Sequence, residues 1–209
     1  MLQLVNEFIS TILQVGLFTL IPFIFFLFRK DKTLTFYRYI GLYKPTTKSL
    51  MYVVLTSLIF LIAGIGLTFI DDSIKQAVLS PNSVTGKLRL MGLNATTVTI
   101  LLIIALLKTS FAEEILFRGF IAKRLINKLG FEIGNILQAI IFGLLHLLLF
   151  WLLTKTTFIP LIFIFIFSSF AGWTIGYIKE KFANGSIIPG WVAHGLGNTL
   201  SYFIIAFII

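Results

Sequence analysis

Cysteine is absent from this chain of 209 residues, and histidine occurs only twice. The lack of cysteine excludes disulfide bonds, a thiolate nucleophile and any cysteine-ligated metal site, so a nucleophile has to be a hydroxyl group or a water molecule. Charged residues are also scarce at 12%, whereas 58% of the residues are hydrophobic and 23 are phenylalanine. Soluble domains do not have this composition, which indicates a polytopic membrane protein.

Six apolar runs are each roughly 20 residues long, which is enough to cross a hydrocarbon core ~30 Å thick. They predict an all-α, polytopic transmembrane helical bundle of about six spans, arranged as a single membrane domain over residues 1–209. The first run contains Glu7 and lacks a basic segment before it, so we expect it to remain as a helix rather than to act as a secretion signal. The predicted spans are residues 4–28, 49–70, 96–117, 133–153, 158–178 and 187–209.

Lysine and arginine are distributed unevenly between the loops. Loop 29–48, segment 118–128 and loop 179–186 are basic, and the first of these carries Arg29, Lys30, Lys32, Arg38, Lys44 and Lys48. The opposite loops hold Lys75, Lys87, Arg89 and Lys155, partly offset by Asp71 and Asp72. Because basic loops tend to stay in the cytoplasm, we expect both chain termini outside. The net charge of +9 then reflects this asymmetry and contact with anionic lipid headgroups, and it gives no indication of a nucleic-acid partner.

Two adjacent carboxylates and an arginine end the third apolar run: Glu113, Glu114 and Arg118. Glu114 and Arg118 are four residues apart on one helical face, a spacing suited to an ion pair. Glu113 is rotated by about 100° from Glu114 and can point into the bundle as a general base. The alternative interpretation is a simple interfacial salt bridge with one further charge that reaches the headgroups.

The two histidines lie in later apolar runs. His146 follows Phe142 by four residues, and His194 precedes Asn198 by four. At ~1.5 Å of rise per residue, Glu113, His194, Asn198 and His146 lie about 10, 12, 18 and 20 Å below the cytoplasmic surface. The His194 and Asn198 side chains could donate hydrogen bonds to an oxyanion. Each of these polar residues could instead form an ordinary hydrogen bond between helices.

These three motifs resemble those of the CPBP family of intramembrane proteases, which includes CAAX prenyl endopeptidases and bacteriocin-processing, Abi-like proteins. The motif-bearing core covers residues 113–198. The resemblance implies a hydrolase in which Glu113 and His146 activate water, while His194 and Asn198 stabilise the oxyanion. Supporting roles are implied for Glu114, Arg118 and Phe142. The implied substrate is a membrane-associated peptide or lipidated protein, reached from the cytoplasmic side of a bacterial plasma membrane; no oligomeric state is implied.

The need for a metal is left open by the sequence. The family is often described as metalloproteolytic, and four residues could hold Zn²⁺ while leaving a position for water: Glu113, His146, His194 and Asn198. The chain has no His-Glu-x-x-His motif, however. A metal-free pair of glutamate and histidine accounts for the same residues.

Other functions remain as alternatives. A noncatalytic bacteriocin-immunity or regulatory protein could use the same polar groups to bind a partner, whereas a transporter needs ionisable residues along a path to both faces. Ser110, Ser168 and Ser169 do not occur in a Gly-x-Ser-x-Gly motif, which argues against a serine protease. Lys108, about two turns before Glu113, could reach the headgroups, pair with Glu7, or indicate that the helix boundary is misplaced.

Overall fold

The computed structural model describes residues 2–29, 33–70, 72–154 and 157–209. Lys30, Lys32, Asp71 and Lys155, which entered the loop-charge argument, lie outside these ranges. All regular structure within the ranges is helical, and this confirms the all-α fold class. The α-helices are α1 (Leu2–Leu27), α2 (Phe36–Tyr39), α3 (Ser49–Leu67), α4 (Asp72–Val78), α5 (Val84–Met91), α6 (Ala95–Leu102), α7 (Lys123–Leu129), α8 (Phe131–Thr154), α9 (Phe158–Lys181) and α10 (Ile188–Phe207).

Three helices are long and apolar enough to cross a membrane: α1, α8 and α9. A fourth span results if α3 and α4, which meet at an angle of 112°, are counted together. The chain is therefore an integral membrane protein with a polytopic helical bundle. The predicted runs 96–117 and 187–209 are also helical, but the first contains irregular helix and the second carries the polar side chains of His194 and Asn198. Their membrane crossing, like the six exact span boundaries, stays a prediction.

The helix that runs from Ala95 to Leu129 is widened in two places. Residues Ile103–Phe111 and Glu114–Ala122 are π-helical, and Glu113 lies in the short α-helical step between them. In the wider turns, some main-chain carbonyls accept hydrogen bonds from side chains of other helices. Trp191 Nε1 donates to the carbonyl of Leu106 at 2.7 Å, and Gln14 Nε2 donates to that of Lys108 at 2.8 Å. Since π-helical turns are frequent at functional sites, we expect this helix to carry part of the functional site.

Glycine allows α8 and α9 to approach closely. A Cβ atom at Gly172 would come 3.3 Å from Ala139 Cα, and one at Gly176 would collide with the Asn135 side chain. Asn135 and Gln138 of α8 donate to the carbonyls of Trp173 and Gly172 at 3.0 and 2.8 Å. The two helices thus form one rigid pair that carries Phe142 and His146.

The N-terminus of α10 is held by the loop between α2 and α3. The Ile187 amide donates to the carbonyl of Gly41 at 2.9 Å, and the Tyr43 hydroxyl donates to the carbonyl of Asn184 at 2.7 Å. Gly41 has φ +79°, and a Cβ atom there would lie 2.6 Å from the Gly185 carbonyl oxygen. Glycine is therefore required at position 41 for this contact.

Lys108 pairs with Glu7, the second of the three alternatives that the sequence left open. Its Nζ lies 2.5 Å from Glu7 Oε1, and each side chain is 22% exposed. The contact joins α1 to the π-helical segment Ile103–Phe111. Charges placed among apolar helices need such a partner, because an unpaired charge there is costly to desolvate.

Single cysteines should report the orientation without background, because the chain has none of its own. Lys48 and Lys87 are both exposed and are predicted on opposite sides of the membrane. In intact cells, an impermeant maleimide should label Lys87→Cys and spare Lys48→Cys until the membrane is opened. The reverse pattern would show that the predicted orientation is wrong.

The Glu7–Lys108 pair should appear as a coupling in a double-mutant cycle. Glu7→Gln and Lys108→Met should each lower the melting temperature in nanodiscs, because each leaves one partner unpaired. The loss of unfolding free energy in the double variant should be smaller, by about 1 kcal/mol, than the sum of the losses in the two single variants. Strictly additive losses would show that the pair contributes no coupling energy.

Candidate active site

Glu113 and both histidines converge, although they come from three separate helical segments. Glu113 Oε2 lies 3.7 Å from His146 Nε2 of α8 and 3.9 Å from His194 Nε2 of α10. The same oxygen is buried and has no direct hydrogen-bond partner among the described residues. One carboxylate oxygen therefore faces two imidazole nitrogens without touching either.

The His146 ring is oriented by its own helix. Nδ1 lies 2.9 Å from the carbonyl oxygen of Phe142, and the two rings pack with their centroids 4.2 Å apart. A carbonyl can only accept a hydrogen bond, so Nδ1 carries the proton. In the neutral ring Nε2 is then an acceptor, and it is this atom that faces Glu113.

Glu114 and Arg118 form the ion pair that their spacing predicts, and both side chains are completely buried. Arg118 Nη1 lies 3.2 Å from Glu114 Oε1, as an ion-pair contact rather than an aligned hydrogen bond. The guanidinium also lies over the Phe142 ring, with 4.1 Å between its central carbon and the ring centroid. Phe142 is thereby placed between the arginine and His146.

Glu114 also reaches the last helix. Its Oε1 lies 3.4 Å from His194 Nδ1, and a Cβ atom at Gly190 would come 2.8 Å from its Oε2. Glycine at position 190 lets α10 approach the carboxylate. The contact turns Nδ1 of His194 towards Glu114 and leaves Nε2 for the site.

Asn198 lies in the same cavity, one turn after His194. Its Nδ2 lies 3.2 Å from Thr109 Oγ1 and 3.3 Å from Ser110 Oγ. The structure thus brings all four predicted catalytic side chains to one place. Their roles in catalysis stay predictions.

A cavity of about 320 Å³ extends from these residues. Its polar end contains Glu113, His146, His194 and Asn198, and its described lining residues include no aspartate, lysine or arginine. The remainder is mainly apolar and reaches Leu67 and Leu153, near the C-terminal ends of α3 and α8. A cap formed by α4 and α5 closes this far end with Ile74, Val78 and Val84. The apolar part therefore extends away from the side predicted to be cytoplasmic, and access from the cytoplasm stays a prediction.

The predicted zinc ligands are adjacent, and binding of a metal by them stays a prediction. No group of three His, Cys, Asp or Glu residues within the described ranges is arranged to hold a metal ion. Two ligands of a tetrahedral Zn²⁺, each about 2.0–2.1 Å from the metal, would be roughly 3.3 Å apart, which is closer than the separations at Glu113.

Several residues of the site were not found from the sequence. Thr109 and Tyr202 line the cavity, whereas Ser110 was considered only as a nucleophile, and Gly190 was not singled out. A signal was present, because Thr109 precedes Glu113 by four residues and Tyr202 follows Asn198 by four. Neither side chain indicates chemistry by itself.

A family model described as type II CAAX prenyl endopeptidase, Rce1-like, matches residues 95–200. The match covers just over half of the chain and includes all three motifs. It excludes α1 to α5, and with them the cap of the cavity. No curated protein and no solved structure matches the chain.

Arg118→Met should strongly destabilise the protein, because it leaves Glu114 charged and buried without its partner. The expected loss is about 3–5 kcal/mol of unfolding free energy, measured by denaturant titration in detergent. Arg89→Met is the matched control at an exposed position and should change stability by less than about 0.5 kcal/mol. Equal stability of the two variants would contradict a buried ion pair.

Proposed function

The chain belongs to the Rce1-like family of type II CAAX prenyl endopeptidases, and from this membership we propose that it hydrolyses a peptide bond of a membrane-associated peptide or lipidated protein. Membership of the family indicates an intramembrane CAAX-type endopeptidase. The catalytic residues, the mechanism and the substrate are our proposal. The observation that supports it is the convergence of Glu113 with two imidazoles at the polar end of an apolar cavity.

Water activation is assigned to Glu113 and His146. Glu113 Oε2 and His146 Nε2 are both acceptors and face each other at 3.7 Å. Two facing acceptors are satisfied by a donor between them, and a water molecule can donate one proton to each. Its oxygen then attacks the scissile carbonyl carbon while one proton passes to Glu113 as general base.

Stabilisation of the oxyanion is assigned first to His194. Its imidazole lies between two carboxylates, with Nδ1 towards Glu114 and Nε2 towards Glu113. In its protonated form the ring donates from both nitrogens, so Nε2–H can stabilise the negative oxygen. A second donor from Asn198, as the sequence predicts, requires one amide N–H to leave its hydroxyl partner.

Collapse of the tetrahedral intermediate completes the reaction. The carbonyl re-forms, the C–N bond breaks, and the carboxyl group of Glu113 returns its proton to the leaving nitrogen. The products are an amine and a carboxylic acid, which keeps the second proton of the water and releases it to solvent as it ionises, and no covalent bond to the enzyme is formed. No step in this scheme requires a metal ion.

The shape of the cavity favours a substrate with an apolar segment beside the scissile bond. An aliphatic peptide segment or a lipid group would fill the apolar part, where burial contributes about 25 cal/mol per Å². A prenylated tail and the leader of a bacteriocin both meet this description. The proposed location is a bacterial plasma membrane with both termini outside.

Cleavage of a quenched peptide library by nanodisc-purified protein tests the proposal. Glu113→Ala and His146→Ala should each lower the rate by about 10²- to 10⁴-fold, as expected for loss of a general base or its partner. Glu132→Ala removes an exposed carboxylate at the start of α8 and should retain the wild-type rate. A chelator should leave the rate unchanged, whereas inhibition reversed by Zn²⁺ would establish a metalloprotease.

Three outcomes distinguish the alternatives. Equal cleavage by all variants would indicate a contaminating protease and contradict the assigned site. Binding of an apolar peptide without cleavage, equally strong in Glu113→Ala, would favour the noncatalytic immunity or regulatory function. Cleavage that depends on His146 but not on Glu113 would overturn the assignment of the base.

A further inference from the structure

Hydroxyl side chains line the apolar part of the cavity at several places, and some of them are bonded within the protein. The hydroxyls of Ser83 and Thr85 both donate to the carbonyl of Val78. That of Thr154 donates to the carbonyl of Phe150, four residues back, at 2.7 Å. Serine and threonine often bond the nearby backbone in this way, and these hydroxyls therefore need no partner from a substrate.

Ser168 of α9 and Ser201 of α10 line the same cavity and differ from them. The two residues are more than nine-tenths buried, at 6% and 8% exposure. Neither hydroxyl has a hydrogen-bond partner among the residues that the structure describes. A buried polar group is stable only with such a partner, and for these two hydroxyls the cavity is the place from which a partner can come.

The two serines lie at the same depth on two walls of the cavity. A Cβ atom at Gly197 of α10 would come 3.0 Å from Phe60 Cβ of α3, and Phe60 packs on Ala171 of α9. These three residues therefore mark one level of the bundle. The short connection between α9 and α10 makes these helices antiparallel, so Ser168 and Ser201 each lie about one turn beyond that level, away from the polar end.

Gly64 of α3 keeps the space beside the Ser201 hydroxyl open. A Cβ atom at position 64 would lie 3.2 Å from Ser201 Oγ, and Ser201 is the residue that it would meet. Gly64 itself lines the cavity. Any larger residue at this position would therefore fill the space that a group bonded to the hydroxyl has to occupy.

We infer that Ser168 and Ser201 bind the backbone of the substrate, so that the apolar part of the cavity holds an extended peptide segment rather than a hydrocarbon chain. This inference rests on the proposed function and deepens it by naming the occupant of the cavity. The N–H and C=O groups of a peptide need partners in an apolar environment, and a hydroxyl can donate or accept. A hydrocarbon chain has neither group and would leave both hydroxyls unpaired.

The spacing on α10 indicates which part of the peptide is bound. Ser201 follows His194 by seven residues and so lies about 10 Å along the helix from the proposed oxyanion donor. An extended peptide advances about 3.3 Å per residue. The two serines should therefore contact a backbone group about three residues from the scissile bond, while the apolar side chains of the same segment pack on the rest of the wall.

The first test removes the hydroxyls. Ser168→Ala and Ser201→Ala should each raise KM about fivefold for the peptide cleaved fastest in the library, the effect of one neutral hydrogen bond. The value of kcat should hardly change, because these bonds lie away from the attacked carbonyl. The melting temperature should not fall, since neither hydroxyl bonds to the protein. Thr199→Val, which removes a hydroxyl bonded to the Gly195 carbonyl, should leave KM unchanged.

The second test fills the space beside Ser201 and leaves its hydroxyl in place. Gly64→Ala should raise KM about as much as Ser201→Ala does, and the two changes together should cost little more than either alone. Gly66→Ala is the matched control in the same helix, because a Cβ atom there meets nothing within 4 Å. Increases in KM that multiply would contradict the inference, since the glycine would then act on something other than the hydroxyl.

The third test identifies the bound group in the substrate. In the same peptide, an ester replaces each amide near the scissile bond in turn, which removes the N–H and weakens the carbonyl as an acceptor. An ester about three residues from that bond should raise wild-type KM about fivefold. In the Ser168→Ala, Ser201→Ala double variant it should cost nothing further, because the hydroxyls that it would lose are already gone.

A lower KM in the double variant would overturn the inference, because removal of unpaired hydroxyls favours a hydrocarbon chain in the cavity. Unchanged KM in both single variants, or ester and serine effects that multiply, would also overturn it. Glu113→Ala separates the two levels of the argument. If cleavage persists without Glu113, the proposed function fails and this inference with it; if cleavage is lost, these outcomes remove only the inference.

Discussion

The completely buried contact between Glu114 and Arg118 is the interaction on which the rest of the site depends. Two charges removed from water are tolerable only with close partners, and here the partners include His194 and Phe142 of the candidate site. Arg118 lies over Phe142, whose carbonyl orients His146. Glu114 faces Nδ1 of His194, and its carboxylate lies where a side chain at position 190 would be. One ion pair thereby determines how α8 and α10 present their histidines to Glu113.

The second constraint is the backbone of the helix that carries Glu113. In a lipid environment every main-chain polar group needs a partner within the protein, and the π-helical turns release some of them. Trp191 and Gln14 bind two of the released carbonyls, while Thr109 and Ser110 bind others. The irregular helix is therefore not a defect, since the groups it releases tie α1 and α10 to the same segment.

Much of this arrangement follows from sequence alone, for identifiable reasons. Composition indicates helices in lipid, and the spacing of Glu114 and Arg118 predicts their ion pair because an α-helical turn brings residues four apart together. The meeting of Glu113 with His146 and His194 could be expected because the estimated depths place all three in the cytoplasmic half of the membrane. The contacts of Thr109 and Ser110 with Asn198 could not, because both hydroxyl groups are held by hydrogen bonds over five residues, which a regular helical wheel does not contain. Lys108 had three interpretations, of which pairing with Glu7 was one, and only the packing of α1 decided between them.

The cap formed by α4 and α5 lies outside the part of the chain that the family model matches, yet it closes the apolar end of the cavity. The polar end of the cavity and part of its apolar wall thus belong to different stretches of sequence. Substitutions in the cap would therefore change the shape of the apolar end while the side chains of the polar end stay in place. The architecture is modular in this sense, because one short segment can be exchanged without touching the helices that carry the three motifs.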